Sequence, residues 1–137
     1  MKALIGIDTG VNTGLALMVD GKLEQVIGGL SITQAMKNVL RYAEKHEAHL
    51  IIEDARKRKW ITGGREKLQG AGSVKRDAKI WEDFCNENEL SYELIAPQKG
   101  LTKFTAEHFK RVTGWRCRTN EHGRDAAMLI WGRRGAK

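Results

Sequence analysis

The chain has 137 residues, 41% hydrophobic and 30% charged, the balance of an ordinary globular protein long enough to bury a genuine core in one domain, 1–137. Twenty-four lysines and arginines against 17 acids leave a net charge of +7, which points toward a polyanionic partner. No apolar run approaches the ~20 residues of a membrane span. The opening MKALIGID lacks a signal-peptide cleavage pattern, and Cys85 and Cys117 form no CxxC pair. The expectation is a cytoplasmic chain with reduced thiols, no membrane association and no structural zinc.

Residues 3–9 and 14–20 are β-rich runs joined by a glycine-containing turn. Asp20-Gly21 is a hairpin signal that leads into a third run over 22–27. Ser31 and Gln34 have the spacing of a capping box, followed by an apolar helical stripe of Met36, Val39, Leu40 and Ala43. HLIIEDA (49–55) reads as a fourth strand ending in acids, and a basic loop with glycines follows it. A helix is predicted over about 73–88, with Val74, Ala78, Trp81 and Cys85 on one face. YELIA (92–96) is a fifth strand stopped by Pro97, and two further helical stretches cover about 102–113 and 120–133. The order βββαβαβαα, a three-strand meander and then alternation, is that of a mixed-sheet α/β protein. It matches the RNase H-like fold: a mixed five-stranded sheet flanked by helices.

In that topology the acids fall into a pattern. Asp8 ends the first strand, Glu53 and Asp54 end the fourth, and Asp125 lies early in the last helix. Strands one and four are parallel neighbours, so their C-terminal ends meet at one sheet edge, where open α/β sheets place their sites. His122 precedes Asp125 by three residues and shares its helical face. Strand alternation sends Glu53 and Asp54 to opposite faces, so one of them, Glu53, is the natural ligand. Converging carboxylates repel one another unless a cation sits among them, and hard oxygen ligands suit Mg²⁺, with Mn²⁺ as a substitute. Two such ions ~4 Å apart activate a water and stabilise the leaving oxygen of a phosphodiester. Each residue also has a plainer role. Asp8 can accept from turn amides, Glu53 and Asp54 can pair with neighbouring cations, and Asp125 can face the positive helix end. Their co-occurrence at these elements is what favours a site.

Several segments resemble the RuvC-like Holliday-junction resolvases. IGIDTGVNTGLAL is similar to their opening strand-turn-strand, LIIEDAR to their fourth-strand motif, and HGRDAAMLI to their terminal HxxDA-apolar motif. LQGAGSVKRDAKI and LIAPQKG look like the start of their central helix and the segment around the following proline. Thr9 stands where that family usually has proline. The resemblance implies Asp8, Glu53, His122 and Asp125 as a catalytic, metal-binding set for two Mg²⁺ ions. It also implies a homodimer that makes paired symmetric cuts in branched DNA, above all four-way junctions.

Other readings of the opening stretch fit less well. An aspartic protease pairs two Asp-Thr-Gly turns in a β-rich protein. A sugar-kinase or actin-like phosphate loop belongs to a two-domain fold. A YqgF-like ribonuclease shares the fold and first motif, but APQKGLTK stands where its acidic-arginine stretch is expected. A catalytically inactive nucleic-acid-binding module of the same fold is the alternative outside enzymes. The segment ARKRKWITGGREK places Arg56, Lys57, Arg58, Lys59, Arg65 and Lys67 around Trp60. Such cations neutralise phosphates without reading bases, and the indole offers a stacking face for an opened base. Lys75, Arg76, Lys99 and Lys103 are further candidates for nucleic-acid contact. Equally, Trp60 can be core and the charges a solvated rim.

Overall fold

Alternation along the first strand divides the molecule into two layers. In the computed structural model, which describes residues 2–57, 65–96 and 104–133 (without the side chains of 65–75), β1 spans Lys2–Asp8. Ala3, Ile5 and Ile7 point to one face of the sheet, while Gly6 and Asp8 point to the other. The remaining strands are β2 (Thr13–Val19), β3 (Lys22–Leu30), β4 (Glu47–Glu53) and β5 (Ser91–Ile95). They form one sheet in the order β3-β2-β1-β4-β5. The meander β1-β2-β3 is antiparallel, whereas β4 runs parallel to both β1 and β5. This is the mixed five-stranded sheet expected from the sequence.

The local chemistry explains the turns. Asp20 and Gly21 both take positive φ (50° and 81°), the conformation that lets a two-residue hairpin follow the strand twist. Ser31 and Gln34 form the capping box that starts α1 (Ile32–Lys45). The buried stripe of α1 is Ala35, Val39 and Tyr42, and Leu40 is 37% exposed. Of the predicted stripe, Val39 is buried and Met36 packs against the core, whereas Leu40 turns outward and Ala35 and the Tyr42 ring fill the core side. α2 (Arg65–Glu87) begins well before the expected 73, yet it does bury Ala78, Trp81 and Cys85. Val74 falls among the side chains outside the described set.

Helices α1 and α2 cover the face of Ile5, Ile7, Leu15, Leu17, Leu50 and Ile52. The opposite face, with Ala16, Met18 and Ile51, is covered by α4 (Glu121–Trp131), with Phe109 of α3 (Ala106–Thr113) in the same cluster. Leu50, Ile51 and Ile52 are fully buried, as a central strand between two layers requires. Each such side chain contributes about 1.5–3 kcal/mol through burial. α4 lies very close to the sheet. A Cβ on Gly6 would overlap the carbonyl of Ala126, and one on Gly14 would overlap that of His122. Beyond the far end of α4, Arg133 donates to both carboxylate oxygens of Glu93 on β5 (2.9 and 2.7 Å). Among the described residues no helix is long and apolar enough to cross a membrane.

Candidate active site

The C-terminal ends of β1 and β4 lie side by side, Ile7 beside Ile52, which places Asp8 next to Glu53. A hydroxyl fastens the two ends: Thr9 Oγ1 donates to the carbonyl of Glu53 at 3.2 Å. The turn that follows is fixed by fully buried Thr13, whose hydroxyl donates to the carbonyl of Gly10 at 2.9 Å. Alternation on β4 puts Glu53 on the same face as Ile51, the α4 face shared by Asp8.

α4 completes the arrangement. Asn120 caps it, with Oδ1 accepting from the amide of Gly123 at 2.9 Å, and the Asn120 side chain occupies the space left by Gly28. The first turn of α4 is thereby held over β2 and β3, and Ala126 in the next turn meets Gly6 of β1. His122 Nδ1 comes to 3.3 Å from Asp8 Oδ2. Asp125, one turn on, contributes its charge to the same point.

The electrostatics record that convergence. Asp8 is pushed from the usual 3.8 up to about 6, first by burial and then by the negative charges of Glu53 and Asp125, with the His122 hydrogen bond pulling the other way. Two neighbouring carboxylates and desolvation outweigh one imidazole. A divalent cation would reverse the balance, and the donor set, three hard carboxylates and a nitrogen, suits Mg²⁺ or Mn²⁺ in kind. Among the described residues no three acids, histidines or cysteines are drawn together into a finished metal cage. Mg²⁺ commonly takes only one or two carboxylates, with water and substrate oxygens completing its shell.

Asp54 plays a different part. It is 2% exposed, and Arg56 donates to both of its oxygens (2.9 and 2.8 Å among these contacts) while also reaching Glu82 on α2 at 3.0 Å. The short 3-10 turn Ala55–Lys57 is thus tied to α2. Lys57 Nζ donates to the carbonyl of Leu94 at 2.8 Å. Two of the cations read from the sequence as phosphate contacts, Arg56 and Lys57, therefore already have protein partners. Arg76 is exposed and also engaged. Arg58, Lys59, Trp60, Lys99 and Lys103 lie outside the described residues, as do the side chains of Arg65, Lys67 and Lys75.

Sequence reasoning missed the residues that position the site: Thr9, Asn120 and the glycines under α4. Asn120 had a visible signal, an N-cap residue just ahead of the terminal helical motif. The glycines had none, since close approach between a helix and a sheet leaves no periodic trace.

No protein-family model matches the chain, and no curated protein matches it in sequence. Among solved structures, T. thermophilus RuvC in complex with Holliday junction substrate is similar, with a TM-score of 0.60 and 13% identity over 96% of this chain and 91% of that one. At that identity the likeness is one of fold: the chain has the RNase H-like architecture, a mixed five-stranded sheet between two helical layers, that RuvC has.

Proposed function

We propose that the protein is a metal-dependent endonuclease for branched DNA, a four-way-junction resolvase being the specific activity. The observation that carries this is the raised Asp8 carboxyl, hemmed in by Glu53, Asp125 and His122 at the sheet end where parallel strands usually build a site. The fold shared with RuvC and the net charge of +7 support the same reading. Asp8, Glu53 and Asp125 would hold Mg²⁺, or Mn²⁺ in its place, in one or two positions. When bound, the metal supplies charge neutralisation at the phosphate and an activated water. His122, already hydrogen-bonded to Asp8 and 39% exposed on its side chain, either completes the ligand set or carries a proton to or from the reacting oxygens. Two symmetric cuts call for two sites, which a twofold homodimer provides. The reading places the protein with nucleic acid in the cytoplasm.

The test is cleavage of a synthetic four-way junction, a linear duplex and an RNA duplex in Mg²⁺, by the protein and by Asp8→Asn. Cleavage of the junction alone, lost in the variant, is the expected result. Preference for RNA would favour a YqgF-like ribonuclease, and binding without cleavage would leave a non-catalytic module.

A further inference from the structure

The described arginines divide into two groups. Arg41, Arg56, Arg124 and Arg133 each donate to a neighbouring side chain or carbonyl, and Arg76 is engaged as well. Arg111, Arg116 and Arg118 are exposed and have no hydrogen-bond or ion-pair partner among the described residues. All three lie within one short stretch, together with exposed Lys110, and Glu107 is the only acid between Phe104 and Asn120. The negative C-terminal end of α3 accounts for a cation at Lys110 or Arg111. It does not account for Arg116 and Arg118, which stand beyond the helix.

The stretch is also rigidly built. Arg124 on α4 donates to the carbonyl of Phe104 (2.9 Å) and to the carbonyl and hydroxyl of Thr119 (3.1 and 3.0 Å), closing the segment at both ends. Gly114, at φ 75°, ends α3, and Thr113 Oγ1 both donates to Phe109 and accepts from the Trp115 amide. Phe109 is fully buried, and Trp115 packs against the same cluster. Four uncompensated charges are thus held on a fixed platform. It runs directly into α4, where His122 stands four residues after Arg118. Exposed cations with no partner among the described residues, on a braced segment that leads into α4, suit a polyanion such as a nucleic-acid backbone, whose phosphates they neutralise without reading bases.

We propose that Lys110, Arg111, Arg116 and Arg118 form a phosphate-binding strip that grips a duplex DNA arm on the approach to α4 and its acidic site. The strip rests on the nuclease reading only for the identity of its polyanion. Its action is sequence-independent, so it sets affinity and orientation and leaves the chemical step alone.

The experiment measures duplex and junction binding against salt in the Asp8→Asn chain, so that cleavage does not enter. Arg111→Gln, Arg116→Gln and Arg118→Gln together should flatten the salt slope by about 2.7, three contacts at about 0.9 each. Lys22→Gln, Lys37→Gln and Lys45→Gln, which remove the same charge from exposed positions elsewhere, should leave the slope nearly unchanged. Cys117 lies between Arg116 and Arg118 and is exposed, whereas burial pushes the Cys85 thiol up to about 12. DNA should therefore slow alkylation of Cys117 severalfold. An unchanged slope in the arginine variant, or an equal loss in the lysine control, overturns the strip. With Asp8 restored, the arginine variant should raise KM and keep kcat. Strip-dependent binding together with no DNA cleavage by the chain that keeps Asp8 would defeat the nuclease reading and leave the strip standing.

Discussion

Gly14 and the carbonyl of His122 are in direct apposition: a methyl group on Gly14 would occupy the space of that oxygen. The contact joins β2 to the first turn of α4, which carries His122 and Asp125. Gly14→Ala is expected to lift this turn from the sheet, at a cost of about 1–3 kcal/mol or more, because the opposing atom is backbone and cannot rotate away. Gly132→Ala adds its methyl to open space at the other end of α4 and serves as the control. Thermal melts compare the two, and equal stabilities would contradict the close approach.

Asp8→Asn should abolish cleavage while raising stability near neutral pH. The native carboxyl holds its proton up to about 6 against an ordinary 3.8, so in that window the folded state binds more protons than the unfolded chain. Stability from this group is therefore lost as pH rises through the window, by on the order of 3 kcal/mol, and stays lost above it. The melting difference between Asp8→Asn and the parent should grow from pH 4 to about 6 and then level off. Mg²⁺ should narrow the difference by stabilising only the parent. A difference that ignores both pH and Mg²⁺ would mean the acids do not converge in solution.

Much of the framework could be read directly from residues. The Asp20-Gly21 hairpin, the Ser31–Gln34 capping box and the short apolar run of β4 are local signals, and the parallel pairing of β1 with β4 was expected from the RNase H-like topology that the element order matches. What was not legible depends on contacts between distant segments. β3 continues to Leu30 because Gly28 and Gly29, which look like strand breakers, make room for Asn120. α2 starts at Arg65 although Gly70 and Gly72, poor helix formers, lie inside it. The acids were visible as types at element ends. The hydroxyl clamp from Thr9 to Glu53 and the cap that holds His122 over Asp8 appear only in three dimensions.

Glu53 and Asp54 are adjacent in sequence, but their substitutions should fail differently. Glu53→Gln removes a charge that acts on Asp8 and should eliminate activity with little loss of stability. Asp54→Asn weakens the charged hydrogen bonds from Arg56, which keeps Glu82, and should cost about 1–3 kcal/mol while sparing the chemistry of folded molecules. Melts and single-turnover cleavage measured on both variants separate the two effects. The opposite pattern would place Asp54, not Glu53, beside Asp8.

Trp60 offers a way to separate branch recognition from charge. If its indole stacks on an opened base, Trp60→Ala should weaken junction binding by roughly 1–3 kcal/mol and barely alter binding to linear duplex. Equal losses on both substrates would reduce the segment to electrostatics, and an unfolded variant would mark Trp60 as core.

The placement of α4 has a consequence for how the protein comes into being. Asp8 and Glu53 are joined as soon as β1 and β4 pair, but His122 and Asp125 reach them only when the last helix docks on Gly6 and Gly14. A ribosome delivers residues 121–131 after all five strands. Until then the apolar face of Ala16, Met18 and Ile51 stays uncovered and in need of shelter. The acidic cluster therefore stays incomplete until α4 has been made and has docked. Covering this face and assembling the acidic cluster are thus coupled through one helix.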